Sequence, residues 1–238
     1  MAKHMLSGAA AIVGVGESEI GKVPHMSGLG LAAQAAKRAL DEAGLKPSDI
    51  DGLLTAYSMT EPYFMFGTVV CEYLGLQPDY CASLVLGGAT PAALVGHAIQ
   101  AIATGSAKTI LIVVGENRAT GQTRDQAVQA LASVGHPYYE KPYGALIPAF
   151  YGMIANRLMH ETGVTREMMA AVAVNGRYHA SLHPNAHMRK PITIEDVLAS
   201  RPIASPLNLL DCCLISDAGG ALIVTAADRA RDLKSMPI

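Results

Sequence analysis

The chain has 238 residues, of which 50% are hydrophobic, so it can bury a sizeable core in one large domain or two small ones. Its formal net charge of −2 and the absence of a basic run argue against nucleic acid as the main partner. No apolar run is long enough to span a bilayer, and the N-terminal MAKHMLSG has no signal-peptide core, so we expect no membrane association.

Apolar runs and turn signals alternate along the N-terminal half in the order β-α-β-α-β-α-β. The predicted strands are Ala9–Gly14, Asp51–Thr55, Ala82–Leu86 and Thr109–Val114, with a fifth at Gly219–Thr225. The predicted helices are one capped by Ser27 and ended by Gly44, one over Phe64–Leu74 ended by Gly75, and one ended by Gly105. This alternation predicts an α/β fold with a mixed sheet covered by helices on both faces.

The third helix lies in the stretch LVLGGATPAALVGHAIQAIATG, Leu84–Gly105, around which we expect the chain to be organised. Thr90 is a good N-cap residue, and Pro91 then stands at the first helical position, where its missing N–H costs nothing. Apolar residues cover nearly every face of this helix, which is typical of a buried helix. His97 interrupts them, and we expect it to be a hydrogen-bonded core histidine.

The turn Gly87-Gly88 before this helix allows two interpretations. Unpaired N–H groups of Gly87, Gly88 and Ala89 at the helix N-terminus would suit an anion or a developing oxyanion. Alternatively, the glycines serve only a tight strand-to-helix turn with close packing. The spacing alone does not choose between them.

The region 119–204 differs in character from the rest of the chain, and we predict that it is an inserted loop and helical region. Ala119–Lys141 shows no clear period, which predicts irregular structure. Pro148–Gly163 reads as a helix, and Thr165–His179 as another with Thr165 as its cap. The residues predicted to face inward on the first of these are Ala149, Met153, Ala155 and Leu158. Thr193 is expected to start a short helix.

Cysteine usage argues for a reducing compartment. Cys71, Cys81, Cys212 and Cys213 show neither the paired spacing of a metal site nor the density of a disulfide scaffold. We therefore predict a cytoplasmic protein without a metal. Cys212 and Cys213 are interpreted as small buried hydrophobic residues, and Asp217 is expected to organise the turn before Gly219.

Several separated motifs, in the correct order, carry a resemblance to a known family. They are AAIVGVGES, LAAQAAKRALDEAGLKPSDIDGL, GGATPAALVGHAIQAIATG, ILIVVGEN, GHPYYEKPYG, RYHASLHPNA, KPITIEDVLASRPIASPLNLLDCC and SDAGGALIVT. The whole chain resembles the N-terminal half of the thiolase superfamily, and within it the sterol carrier protein X-type thiolases and lipid-transfer-like relatives. The resemblance implies two similar α/β halves, a homodimer, and coenzyme A thioesters as substrates without a permanently bound cofactor.

The chain departs from the family pattern in two places. The resemblance implies a nucleophilic cysteine at the N-terminus of the central helix, and Gly88 or its immediate neighbour occupies that position. Cys81 lies about 20 Å too early along the chain to replace it. The second departure is the end of the chain, because the family's C-terminal half is absent. We expect a thiolase-like core over 1–118 and 205–238, belonging to a fragment, a split enzyme or a degenerate copy.

A thiolase-like protein without this cysteine resembles the subgroup that cleaves β-hydroxyacyl-CoA thioesters by a retro-aldol reaction, with a small OB-fold partner protein. That reaction needs a base and an enolate stabiliser but no acyl-enzyme. The predicted catalytic residues are Gly88 and His136, and the predicted substrate-binding residues are Gly87, Ala89, Thr90, Tyr143, Arg177 and His183. The alternative interpretation of His136, Arg177 and His183 is that they belong to solvated surface loops. The alternative for the whole protein is a non-catalytic subunit that binds acyl-CoA or scaffolds a partner.

Overall fold

The computed structural model describes residues 6–144, 146–234 and 238. Its strands are β1 (Ala10–Glu17), β2 (Gly52–Ala56), β3 (Tyr80–Leu84), β4 (Thr109–Asn117), β5 (Pro202–Ala204), β6 (Leu207–Asn208) and β7 (Asp217–Ala226). Its α-helices are α1 (Gly28–Ala43), α2 (Phe66–Leu74), α3 (Thr90–Ala103), α4 (Arg124–Ala132), α5 (Ile147–Thr162), α6 (Arg166–Leu182), α7 (Ile194–Ala199) and α8 (Ala227–Ala230).

These elements form two compact units. The first contains the residues up to Gly121 together with those from Asp217 onward, and the second is Gln122–Ser216. Residues 205–216, which the sequence analysis grouped with the core, lie in the second unit. They are tied there because β6 pairs with β5 and because Asp211 forms an ion pair with Arg166 on α6.

A five-stranded sheet in the order β1-β7-β4-β2-β3 forms the centre of the first unit. β2 pairs in parallel with both β3 and β4, whereas β7 runs antiparallel to β4 and β1. The predicted α/β fold with a mixed sheet is therefore confirmed. β3 lies at one edge of this sheet.

Helices cover both faces of the sheet because alternate strand residues point to opposite sides. Leu53 on β2 and Leu111 on β4 belong to the hydrophobic cluster that contains α1 and part of α2. Leu54 and Ile110, one position away, belong to the cluster that contains α3. Ser27 caps α1 by accepting a hydrogen bond from Gly30 N, and Gly44 ends it in the left-handed conformation, as predicted.

Two expectations for α3 are wrong. The helix is buried along one stripe only, through Leu94 and Ala98, while Pro91 and Ala92 are exposed. An all-round apolar pattern predicted full burial, but α3 contacts the sheet from one side. Thr90 is also not the N-cap, because a short 3₁₀ turn over Gly87–Ala89 precedes the helix and makes Ala89 the capping position.

Glycines in the strands allow the α1 backbone to lie directly on the sheet. Methyl groups added at Gly16 on β1, Gly115 on β4 or Gly219 on β7 would overlap backbone atoms of α1, among them the Leu31 carbonyl oxygen beside Gly219. Gly14 and Gly16 therefore serve helix packing inside β1.

Gly219→Ala is therefore expected to lower the free energy of unfolding by about 2 kcal/mol or more, because overpacking against a helix backbone cannot relax cheaply. Gly220→Ala is the matched control, since a methyl group there meets nothing within 4 Å. We expect the control to change stability by less than about 0.5 kcal/mol. Urea unfolding of both variants measures the difference, and equal destabilisation would contradict the packing argument.

The second unit consists of helices and one short strand pair. Thr165 caps α6 and Thr193 caps α7, both as predicted. The interval Ala119–Lys141 was expected to be irregular, but it contains α4, which starts at a capping box formed by Thr123 and Gln126. The sequence pattern did not predict α4 because its apolar residues make no clear stripe.

The inward face predicted for α5 is only partly correct. Ala155 is buried and Ala149 half-buried, but Met153 and Leu158 are 62% and 43% exposed. Gly152 is buried where α5 approaches the Ser205 carbonyl oxygen, which places the contact face on the small residues. Among the described residues, none of the helices combines the length and apolar character that crossing a membrane requires.

Candidate functional site

The turn before α3 is built by local hydrogen bonds that involve Thr90. Its hydroxyl group is buried, donates to the Gly87 carbonyl oxygen at 2.7 Å and accepts from Leu86 N at 2.9 Å. Gly87 has φ +58°, a conformation that favours glycine. Ala89 N donates to the Leu86 carbonyl oxygen at 3.3 Å. The Thr90 hydroxyl is therefore committed to the turn.

These bonds leave two N–H groups of the turn available. Within the described part of the chain, Gly87 N and Gly88 N have no hydrogen-bond acceptor, and both residues are exposed. A methyl group added at Gly88 would meet nothing within 4 Å, so the space in front of the turn is open. The partial positive charge at the N-terminus of the 14-residue α3 adds to the attraction for negative charge. Four predicted site residues, Gly87, Gly88, Ala89 and Thr90, thus lie together here.

The turn follows β3 at the carboxyl ends of the parallel strands, which is the usual position of ligand sites in such sheets. Glu116, near the end of β4, was not singled out in the sequence. Its carboxylate accepts hydrogen bonds from Met59 N at 2.5 Å and the Thr60 hydroxyl at 2.9 Å, so it fixes the loop that follows β2. A carboxylate directly after the apolar run TILIVVG was the signal that could have identified it.

Asp217 does more than organise one turn. Its carboxylate is fully buried and accepts hydrogen bonds from Val23 N at 2.8 Å, Ala119 N at 2.7 Å, and Thr120 N and Oγ1 at 3.1 and 2.8 Å. Burial alone raises the pKa of Asp217, but these hydrogen bonds outweigh it and hold the pKa below the usual aspartate value. Asp217 therefore fastens three separate segments of the first unit.

His136 lies in the second unit on an exposed turn between α4 and α5. Its Nδ1 accepts a hydrogen bond from Tyr138 N at 3.3 Å, so the neutral imidazole carries its proton on Nε2. The ring lies 4.7 Å from that of Tyr139, and Tyr143 follows with 87% of its surface exposed. The segment thus offers a proton donor among exposed aromatic rings. The catalytic role of His136 and the substrate contact of Tyr143 stay predictions.

Arg177 lies on α6 and His183 directly follows that helix, and both belong to the second unit. Arg177 donates from Nη1 to the Lys190 carbonyl oxygen at 3.0 Å, and Arg189 donates to the Ser181 carbonyl oxygen at 3.2 Å. His183 Nδ1 accepts from Asn185 N at 3.3 Å. These bonds fold the loop after α6 back onto the helix, so the arginines have a structural role whether or not they contact a nucleotide.

In the described ranges, no group of three or more histidine, cysteine, aspartate or glutamate side chains is arranged to hold a metal ion. All four cysteines are free thiols. Burial raises the pKa of Cys212, with Asp211 and Cys213 adding to the rise. Cys213 is exposed and Cys212 is half-buried, so the interpretation of both as buried residues is wrong.

Comparison with known proteins identifies the family of this chain. A family model described as the thiolase N-terminal domain matches residues 10–228. The chain belongs to the thiolase family. This confirms the resemblance that the sequence motifs carried.

Two curated members of the thiolase family are especially similar to the chain. The 17-hydroxy-3-oxo-4-pregnene-20-carboxyl-CoA lyase of Mycobacterium tuberculosis is 40% identical over 98% of the chain and 62% of its own length. A steroid side-chain-cleaving aldolase of Thermomonospora curvata is 38% identical over 98% of the chain and 61% of its own length. The chain thus spans about three fifths of these relatives.

A solved structure of the thiolase family supports the same placement. The Ltp2-ChsH2(DUF35) aldolase has a TM-score of 0.82 and is 39% identical, over 97% of this chain and 59% of that one. The similarity extends over both compact units. The chain is therefore similar to this aldolase in sequence as well as in fold.

Proposed function

We propose that the protein containing this chain cleaves the Cα–Cβ bond of a β-hydroxyacyl-CoA thioester by a retro-aldol reaction. The observation that carries the proposal is the turn before α3, which offers the N–H groups of Gly87 and Gly88 but no free nucleophile. The hydroxyl of Thr90 is held by two local hydrogen bonds. Without a nucleophile, an acyl-enzyme route is closed at this turn, whereas stabilisation of an oxyanion is open.

The proposed reaction has three parts. A base takes the proton of the β-hydroxyl group, the Cα–Cβ bond breaks, and a ketone or aldehyde leaves. The bond's electron pair forms the enolate of the shorter thioester, whose oxygen gains negative charge. Gly87 N–H and Gly88 N–H donate to this oxygen, and a proton returned to Cα completes the products.

Relatives support this chemistry over thiolysis. Both curated proteins described above are named for steroid cleavage, as a lyase and as an aldolase. We extend that reaction type to this chain because 40% and 38% identity run through nearly its whole length. A steroid β-hydroxyacyl-CoA is accordingly the first substrate to test.

The remaining substrate contacts are assigned on the second unit. We propose that His136 transfers a proton through Nε2, with Tyr143 lining the acyl side. Arg177 and His183 are proposed to contact the nucleotide part of coenzyme A, since one is cationic and the other is exposed on the loop after α6. The coenzyme A thioester is the substrate, and the reaction as written needs no further cofactor.

We further propose a partner of the DUF35 type, because the aldolase with TM-score 0.82 carries that partner in its name. A second copy of the chain is proposed to cover the outer edge of β3, next to which Phe64, Met65 and Val85 are 103%, 63% and 63% exposed. A cytoplasmic location is supported by the four free thiols.

The test incubates the protein, alone and with its co-purifying partner, with a β-hydroxyacyl-CoA in the absence of free coenzyme A. We expect a carbonyl product and a shorter acyl-CoA, both detected by mass spectrometry. Cleavage of a β-ketoacyl-CoA that depends on added coenzyme A would instead indicate thiolysis. Partner binding without either reaction would support the non-catalytic scaffold, for which the turn without a nucleophile is the favouring observation.

A further inference from the structure

A cavity of about 390 Å³ lies in the first unit, between α1 and the C-terminal end of α2. Ala33, Ala36 and Leu40 line it from α1, at spacings of three and four residues that place them on one side of the helix. Leu74, the last residue of α2, and Leu76 line it as well. The volume falls within the range of about 300–1,000 Å³ that is usual for small-molecule sites.

The cavity extends into the core of the first unit. Leu111 on the central strand β4 lines it although that residue is only 1% exposed, and Ala36, Leu40 and Leu76 are also buried. All four belong to one hydrophobic cluster. An apolar chain that enters the cavity would therefore leave water and contact methyl and methylene groups, which is favourable.

The exposed part of the cavity lining carries more positive than negative charge. Lys37 forms an ion pair with Asp41 at 2.5 Å, whereas the ammonium group of Lys46 has no ion pair among the described residues. The carboxylate of Asp49 accepts a hydrogen bond from Lys46 N at 2.8 Å. Two lysines and one aspartate thus leave one uncompensated cation beside an apolar cavity.

We propose that this cavity binds a medium-chain fatty acid, with the alkyl chain between α1 and α2 and the carboxylate beside Lys46. Apolar walls and a single uncompensated cation match a molecule with one apolar and one anionic end. A free fatty acid has this carboxylate, whereas an acyl chain in a coenzyme A thioester does not. The ligand of this cavity is therefore chemically distinct from the proposed substrate.

The cavity is separate from the other surfaces to which we assign a role. Leu111 belongs to the cluster that contains α1, whereas the neighbouring Ile110 belongs to the cluster that contains α3, so the cavity and α3 lie on opposite faces of the sheet. None of the lining residues is on β3 or among Phe64, Met65 and Val85 at its edge. Fatty acid binding therefore stands or falls independently of the proposed cleavage reaction.

The experiment titrates the assembled enzyme with hexanoate, octanoate and decanoate by isothermal titration calorimetry, and with octan-1-ol as an uncharged analogue. We expect one decanoate per chain, with a Kd of about 1 mM or below. Each added CH₂ group is expected to tighten binding about fourfold, because it is buried in the cavity. No saturable binding of decanoate, or an affinity that does not depend on chain length, would overturn the proposal.

The contribution of the cation is tested by Lys46→Met. This variant is expected to bind octanoate and decanoate about threefold more weakly and to bind octan-1-ol as wild type does, because an exposed ion pair contributes modestly. Lys22→Met is the matched control, since it removes an exposed lysine that does not line the cavity. Equal effects of the two substitutions on octanoate would contradict the placement of the carboxylate.

The position of the alkyl chain is tested by Ala33→Phe, which fills the cavity from the half-buried side of α1. It is expected to weaken binding of all four compounds at least tenfold. Ala171→Phe, at an exposed position on α6, is the matched control and should leave binding unchanged. Retention of decanoate binding by Ala33→Phe would place the ligand elsewhere and overturn the proposal. The chain-length series on wild type decides the matter even if Ala33→Phe folds poorly.

Discussion

Gly88→Leu is expected to lower kcat for β-hydroxyacyl-CoA cleavage by about a hundredfold or more, in the assembled enzyme. The side chain would stand over the two N–H groups that we assign to the enolate oxygen. The fold is expected to survive, because the space around Gly88 is open and the residue is exposed. Steady-state kinetics measures the change, and circular dichroism checks the fold.

Gly96→Leu is the matched control, because Gly96 lies on α3 and a methyl group there also meets nothing within 4 Å. It introduces the same side chain two turns further along the helix, and activity is expected to stay near that of wild type. Loss of a transition-state interaction lowers kcat with little change in KM, whereas exclusion of substrate raises KM. Unchanged turnover in Gly88→Leu would contradict the role of the turn.

Asp217→Ala is expected to lower the free energy of unfolding by about 4 kcal/mol or more. The substitution leaves the N–H groups of Val23, which is buried, and of Ala119 and Thr120, which are half-buried, without this acceptor, and each unsatisfied buried group costs about 1–3 kcal/mol. Urea unfolding at neutral pH measures the loss. Thr120→Ala, which removes a single hydroxyl donor, is the milder second variant and is expected to cost about 1 kcal/mol.

The stabilisation by Asp217 should also depend on pH. Its pKa is lower in the folded than in the unfolded protein, so its contribution is complete above the unfolded value of about 3.9 and is lost as the pH falls through the folded value. The stability difference between wild type and Asp217→Ala is therefore expected to shrink below about pH 4. Asp79→Ala, at an exposed aspartate, is the control and should show no large loss of stability. A difference that stays constant with pH would argue against an ionised, hydrogen-bonded Asp217.

The sequence predicted those elements whose start, stop and burial are local properties. Ser27 and Gly44 bound α1 where expected, and the run TILIVV became the buried strand β4. The full burial predicted for α3 was wrong. A pattern of apolar residues indicates which surfaces avoid water but not which element covers them. α4 was not predicted because its apolar residues have only weak periodicity and because the capping box at Thr123 was not considered.

The candidate site was predictable to a similar degree. The glycines before an apolar helix predicted an unpaired N–H group at Gly88. In the structure this N–H group has no acceptor among the described residues. The commitment of the Thr90 hydroxyl to Leu86 and Gly87 could not be foreseen, since it depends on an additional 3₁₀ turn. Likewise, the partners of Glu116 and Asp217 are distant in sequence and become neighbours only when the sheet is formed.

The carboxylate of Asp217 bears on how easily the inserted segment, Gln122–Ser216, can be exchanged between related proteins. It binds the N–H groups of Ala119 and Thr120, just before the second unit begins, and it directly follows Ser216, where that unit ends. These hydrogen bonds hold the two flanks of the inserted segment together within the first unit. A longer segment therefore adds little to the entropy cost of closing the loop. Segments of this kind can be lengthened, shortened or exchanged without unpairing the sheet. Gly121 and Asp217 are therefore natural junctions for grafting the corresponding segment of a relative onto this core.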